Sequence, residues 1–261
     1  MAVGKGLSRN KTKHLDSARP WTIEAKRSKR GNSSPSGKSD EEDRLGEVAA
    51  SPNASDYCLT GPKRIFDVVF SLLVLIIAAP FFLVCMLIVK LSSRGPIFYA
   101  HPRIGYNGKP FGCFKFRTMY RDADTKLKPL LASDPALMNE WKTYFKLKID
   151  PRITPIGKFL RKTSLDELPQ FWNVLKGEMS VVGPRPMTSH EVTHYVKDKA
   201  RTILSVRPGL TTIWITQGRN DLSLEERISS EEYYVIHRTF WLDCKLIGKT
   251  IVHLIFPKGA Y

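Results

Sequence analysis

The run Val68-Val69-Phe70-Ser71-Leu72-Leu73-Val74-Leu75-Ile76-Ile77-Ala78-Ala79-Pro80-Phe81-Phe82-Leu83-Val84-Cys85-Met86-Leu87-Ile88-Val89 decides the fold, because none of its 22 residues carries a charge. As a helix rising 1.5 Å per residue, such a run reaches across the roughly 30 Å hydrocarbon core of a bilayer. Pro80 stands near its centre, where the missing N–H removes a helical hydrogen bond and bends the chain. Both flanks are basic, with Lys63 and Arg64 before the run and Lys90 and Arg94 after it. Lys and Arg beside membrane segments keep to the cytoplasmic side, so two basic ends suit a helix that enters, breaks at Ala79-Pro80 and returns. A spanning helix is the competing reading. A buried hairpin of a soluble protein fits less well, since no polar face interrupts the run.

Upstream, residues 1–60 are rich in Lys, Arg, Ser, Asn and Gly, with acids gathered at Asp40, Glu41, Glu42 and Asp43. With few large apolar groups to offset the entropy of ordering, this stretch reads as a disordered polar tail. No apolar segment follows its early basic residues, as a secretory signal would require. The 261 residues hold 41 Lys and Arg against 25 Asp and Glu, a formal charge of +16, most of it past the tail. Such an excess favours an anionic partner: acidic lipid, a phosphorylated substrate or nucleic acid. Cys58, Cys85, Cys113 and Cys244 form neither a C-x-x-C pair nor a dense framework, which favours a reducing compartment.

Downstream of Gly95-Pro96 the pattern is that of a compact mixed domain. A strand-like stretch at 97–100, turn chemistry at 103–108 with Asn107-Gly108, and a second strand at 111–116 predict a β-hairpin. Helical patterns follow at 122–131, 135–147 and 168–176, the last closed by Gly177. The chain is therefore expected to be α+β and mainly helical, in three parts: the tail (1–60), a Pro-broken re-entrant helical hairpin (61–95) and a small folded domain (96–261).

The segment Leu160-Arg161-Lys162-Thr163-Ser164-Leu165-Asp166-Glu167-Leu168-Pro169-Gln170 carries the most chemistry. Pro169 is tolerated only in a first helical turn, which sets Asp166 and Glu167 at or beside a helix N-terminus, where free N–H groups and the dipole also attract phosphate. Read plainly, Ser164 and Glu167 make a capping box and nothing more. In Gly177-Glu178-Met179-Ser180-Val181-Val182-Gly183-Pro184-Arg185-Pro186, an arginine between two prolines is pre-positioned for a bidentate grip on phosphate, or sits in an ordinary surface turn. In Lys115-Phe116-Arg117-Thr118-Met119, strand alternation would put Lys115 and Arg117 on one face, as a phosphate wall or a solvated edge.

These segments, with the Pro-broken apolar run and the stretch Arg207-Pro208-Gly209-Leu210-Thr211 followed by Trp214 and Gly218-Arg219-Asn220, resemble in order the bacterial sugar transferase family of monotopic phosphoglycosyl transferases. The likeness covers about Lys63 to the C-terminus and is greatest to undecaprenyl-phosphate galactose phosphotransferases. It implies transfer of a hexose 1-phosphate from a UDP-hexose to undecaprenyl phosphate, beginning exopolysaccharide or related glycan assembly at the cytoplasmic face of the bacterial inner membrane. By the same likeness Asp166 is the nucleophile, forming an aspartyl-phosphosugar intermediate. Glu167 is its partner and the link to Mg²⁺, with Mn²⁺ as the alternative. Arg161, Arg185, Lys115 and Arg117 hold phosphate; Arg207, Trp214, Arg219 and Asn220 belong to the nucleotide and sugar loop; Pro80 breaks the membrane helix. The lipid bilayer is a partner, nucleic acid is not, and a homo-oligomer is left open. Ala79 stands where relatives often have Ser, and Thr212 and Ile215 where many have Gly and Gln.

Two rival functions remain in view. His190-Glu191-Val192-Thr193-His194 satisfies H-E-x-x-H, the zinc peptidase helix, with His237 or Glu231 needed to complete the ligand set. A membrane-tethered module binding a polyanion would explain the charge and the anchor, but it leaves an acidic pair among cations without a role.

Overall fold

The computed structural model describes residues 61–144, 147–217 and 223–255, and the tail expected over 1–60 lies outside the described residues. One helix, α1 (Gly61–Ser92), takes in the whole apolar run. It continues through Pro80, where the sequence predicts two helices parted by a break. A proline deletes one hydrogen bond, but in an apolar stretch the other backbone groups have no partner outside the helix, so the helix persists around it. Among the described residues α1 is the helix long and apolar enough to cross a membrane, and its middle turns Ile76, Ile77, Phe81 and Leu83 outward.

Both ends of α1 pack on the remainder of the chain, and the two belong to one compact unit. At the first end, buried Lys63 lies 2.8 Å from Asp67 and 2.9 Å from Asp243. Asp67 also accepts the Ser180 hydroxyl at 2.8 Å, and Asp243 that of Tyr234 at 2.8 Å. Arg64 donates to the carbonyls of Val174 and Leu175 at 2.6 and 2.8 Å. At the far end Cys85 and Val89 pack on Phe116 and Leu160, and the Arg117 guanidinium donates to the carbonyls of Val89, Ser93 and Pro96. Each end is thus clamped by an arginine that satisfies carbonyls at a helix C-terminus, the groups a helix leaves without internal partners.

The hairpin forms as β1 (Phe98–Ile104) against β2 (Pro110–Phe116), antiparallel with Phe98 opposite Phe116 and Ile104 opposite Pro110. Asn107 takes the left-handed conformation the turn needs, at φ 53°. Then come α2 (Ala123–Ser133), α3 (Pro135–Tyr144), α4 (Pro155–Lys162), a 3₁₀ turn (Leu165–Glu167) and α5 (Gln170–Lys176), closed by Gly177 at φ 81°. A short strand β3 (Ser180–Val182) pairs in parallel with β4 (Gly209–Thr211), with short helical turns over 189–203 between them. Two helices complete the described chain, α6 (Leu224–His237) and α7 (Phe240–Ile255). Val174, Met179, Val182, Val206, Tyr234 and Val235 form the core where α5, β3 and α6 meet. Each such side chain, fully buried, contributes about 1.5–3 kcal/mol.

Candidate active site

The α4 helix ends at Lys162, and Ser164 then adopts the left-handed conformation at φ 58°, which turns the chain into the 3₁₀ turn carrying Asp166 and Glu167. The capping box that the sequence offers does not form, because the Ser164 side chain caps nothing. The Glu167 carboxylate instead reaches Lys115 on β2, with Nζ to Oε1 at 2.7 Å. Asn173 of α5 makes this meeting possible: it accepts the Phe114 N–H at 2.9 Å and donates to the Gly112 carbonyl at 2.8 Å. It does the work of a third strand along β2, and so lays the turn before α5 beside Lys115.

Asp166 is 7% exposed. Burial first, and the Glu167 charge second, push its carboxyl up to about 6, while Lys115 and Arg161 pull the other way. Arg161, in the last turn of α4, donates Nε–H to the Thr118 hydroxyl at 2.9 Å. Its charge acts on Asp166 and also on Asp150, whose carboxylate is gripped at 2.8 and 2.6 Å by buried Arg152. The cations acting on Asp166 are therefore Lys115 and Arg161.

Arg185 belongs to a second cationic group. Its loop is pinned by Ile104 N–H to the Met187 carbonyl and by Gly209 N–H to the Pro184 carbonyl, each at 2.8 Å. The guanidinium lies 5.6 Å from the Trp214 ring, and that of Arg227 lies 4.5 Å from the same ring. Arg103 joins them, paired to Glu191 at 3.2 Å, and repulsion from Arg185 adds to burial in lowering its guanidinium. Glu231, fully buried beside this group, is pushed by burial up to about 7. Arg103, Arg227 and the Asp150–Arg152 pair were not legible as site residues, since nothing local distinguishes them from surface charges. Glu231 stood out only as a zinc candidate.

Other expected residues lie elsewhere. Arg117 does not share a face with Lys115: β2 ends at Phe116, alternation stops, and the guanidinium turns to the α1 carbonyls, leaving no phosphate wall there. Arg207 donates to the Gly177 carbonyl at 2.8 Å and lies 5.8 Å from the Tyr106 ring. Trp214 is buried under its two arginines. Pro80 sits in the exposed middle of α1, and Arg219 and Asn220 lie outside the described residues.

The H-E-x-x-H segment does not assemble a zinc site. Glu191 closes a capping box with Thr188 and pairs with Arg103, while the exposed His190 and His194 rings stack at 4.1 Å. Among the described residues no group of three or more His, Cys, Asp or Glu is placed to hold a metal. Glu167, 42% exposed at its side chain, is the carboxylate that could hold Mg²⁺, an ion that keeps several waters and needs few protein ligands.

The family model for bacterial sugar transferases matches residues 59–257. The chain is 47% identical over 200 residues to an undecaprenyl-phosphate galactose phosphotransferase of Salmonella typhimurium, covering 76% of this chain and 41% of that one. It is 46% identical over 199 residues to the exopolysaccharide production protein ExoY of Sinorhizobium fredii, covering 76% and 88%. A UDP-glucose:undecaprenyl-phosphate glucose-1-phosphate transferase of Klebsiella pneumoniae is 38% identical over 213 residues, covering 76% and 41%. The chain thus spans about two fifths of the Salmonella and Klebsiella relatives and most of the Sinorhizobium one. With the acidic pair, its flanking cations and the apolar helix all inside the matched span, the chain belongs to the bacterial sugar transferase family.

Proposed function

We propose that the chain transfers a hexose 1-phosphate from a UDP-hexose to undecaprenyl phosphate through an aspartyl-phosphosugar intermediate, as a first step in exopolysaccharide or related glycan assembly. One observation carries this reading: a buried carboxyl, Asp166, feels the charges of Arg161 and of the Lys115–Glu167 pair. A carboxylate can approach a diphosphate only where cations offset the repulsion. In the first displacement an Asp166 oxygen attacks the β-phosphorus, the bond to the bridging oxygen breaks, and UMP leaves. In the second, an undecaprenyl phosphate oxygen attacks the same phosphorus, and the Asp166 carboxylate departs as lipid diphosphate-sugar forms. Arg161 and Lys115 hold phosphate oxygens through both. Arg185, with Arg103 and Arg227, holds the nucleotide side. Glu167 would hold Mg²⁺ or Mn²⁺, which supplies further neutralisation of the diphosphate.

The membrane reading is re-entrant insertion from the cytoplasmic face of the inner membrane, supported by the seating of both α1 ends on one compact unit. Cysteine labels near Arg64 and Arg94 should then react from the same side; opposite sides would rule it out. The chemistry is tested by incubating enzyme with UDP-hexose and Mg²⁺ without lipid: UMP should be released, and intact-mass measurement should show hexose phosphate retained. Asp166→Asn should abolish both. Near wild-type transfer by Asp166→Asn would mean direct attack by the lipid phosphate instead.

A further inference from the structure

We infer that Thr118 is a positioning residue of this transfer, its hydroxyl fixing the Arg161 guanidinium beside the turn that carries Asp166. The inference rests on the reaction proposed above. Arg161 is exposed on the last turn of a short helix, and a free arginine side chain samples many rotamers, so α4 alone does not aim it. The Nε–H bond to Thr118 Oγ1, at 2.9 Å, does. With Nε so engaged, the terminal N–H groups are the ones left to meet phosphate.

Thr118 is itself unable to yield. It is 6% exposed, and its carbonyl accepts from the Thr154 N–H at 3.0 Å and the Thr154 hydroxyl at 3.4 Å. Gly157 of α4 packs on that carbonyl so closely that a Cβ there would stand 2.0 Å from the oxygen. Gly157 and Arg161 are four residues apart, hence on one helix face, so the face that seats α4 on Thr118 also delivers Arg161 to it. On the other side Asp150 attracts Arg161, but Arg152 already grips its carboxylate at two points, which leaves the Arg161 charge to act on Asp166.

The test compares full-length wild type, Thr118→Val, which keeps the shape and loses the hydroxyl, and Thr118→Ser, which keeps the hydroxyl. Thr118→Val should lower kcat about 10-fold, the order of one hydrogen bond to a charged group, with a smaller change in KM for UDP-hexose. Thr118→Ser should restore kcat. In an Arg161→Lys background, which has no Nε–H, Thr118→Val should add no further loss. The Arg161 Nε–H signal, followed by ¹⁵N NMR in detergent, should be protected from solvent exchange in wild type and Thr118→Ser and should lose that protection in Thr118→Val. If Nε–H exchanges alike in all three, or Thr118→Ser loses as much as Thr118→Val, the inference is overturned. If wild type transfers no hexose phosphate, the proposed function falls, and the NMR comparison still decides the positioning role. Thr118→Ala serves in the same comparisons if Thr118→Val does not fold.

Discussion

The Nζ of Lys115 stands 2.7 Å from Oε1 of Glu167, joining a strand residue to a 3₁₀ turn 52 positions later in the chain. The pair lies beside Asp166, whose ionised form Lys115 favours and Glu167 disfavours. Lys115→Met removes the cation and keeps the bulk. Transfer should fall on the order of 100-fold, as when one electrostatic stabiliser leaves a transition state. The acid limb of the rate profile, near pH 6 in wild type, should move up, because the nucleophile must be ionised and loses a group that favours ionisation. An unmoved limb would separate Lys115 from Asp166.

Stability should carry the same signature. The Asp166 carboxyl rises from an ordinary 3.8 to about 6, so between those values the folded chain binds more protons than the unfolded chain. Its contribution is therefore present at low pH and lost as pH rises through about 6; above that, the ionised carboxylate costs about 3 kcal/mol. Asp166→Asn should be more stable than wild type at pH 8 and indistinguishable from it at pH 4. Chemical unfolding in detergent at the two values decides this.

Arg117 is predicted to act on stability and not on substrate. Arg117→Met strands the Val89, Ser93 and Pro96 carbonyls and should cost about 3 kcal/mol, with KM for UDP-hexose unchanged in the fraction that folds. Arg117→Lys should recover little, since one ammonium cannot reproduce the planar fork. A raised KM with unchanged melting would return Arg117 to the phosphate site.

Lys63→Met should be among the most damaging changes outside the site. It leaves Asp67 and Asp243 buried without their shared cation, a loss of about 3–5 kcal/mol. Adding Asp243→Asn should recover part of it, because the remaining charge is smaller. Thermal unfolding of the single and double variants measures the recovery, and none at all would argue against a shared ion cluster.

For the metal, EDTA should abolish transfer, and Mg²⁺ or Mn²⁺ should restore it. A zinc-selective chelator should have no effect. His190→Ala with His194→Ala should keep turnover near wild type, because both rings are exposed and Glu191 serves Thr188 and Arg103. Loss of all turnover in a folded double variant would revive the zinc reading.

The sequence by itself determined whatever depends on neighbours along the chain. The apolar run required a membrane-length helix, though not its continuation through Pro80, Asn107-Gly108 a hairpin turn, and Gly177 a helix end, because hydrophobic length and backbone freedom are local properties. The order of motifs also pointed to the family. Tertiary structure decided which charges meet. Lys115 and Arg117 are two residues apart, yet one joins Glu167 and the other holds the end of α1, because the strand stops between them. Ser164 and Glu167 have capping spacing, but the left-handed turn at Ser164 sends Glu167 across to β2. Arg103, Arg185 and Arg227 gather around Trp214 and Glu191 from three separate segments. A long side chain on a rotatable stem takes the partner that burial leaves to it, and burial is set by how helices and strands pack, which no spacing along the chain records.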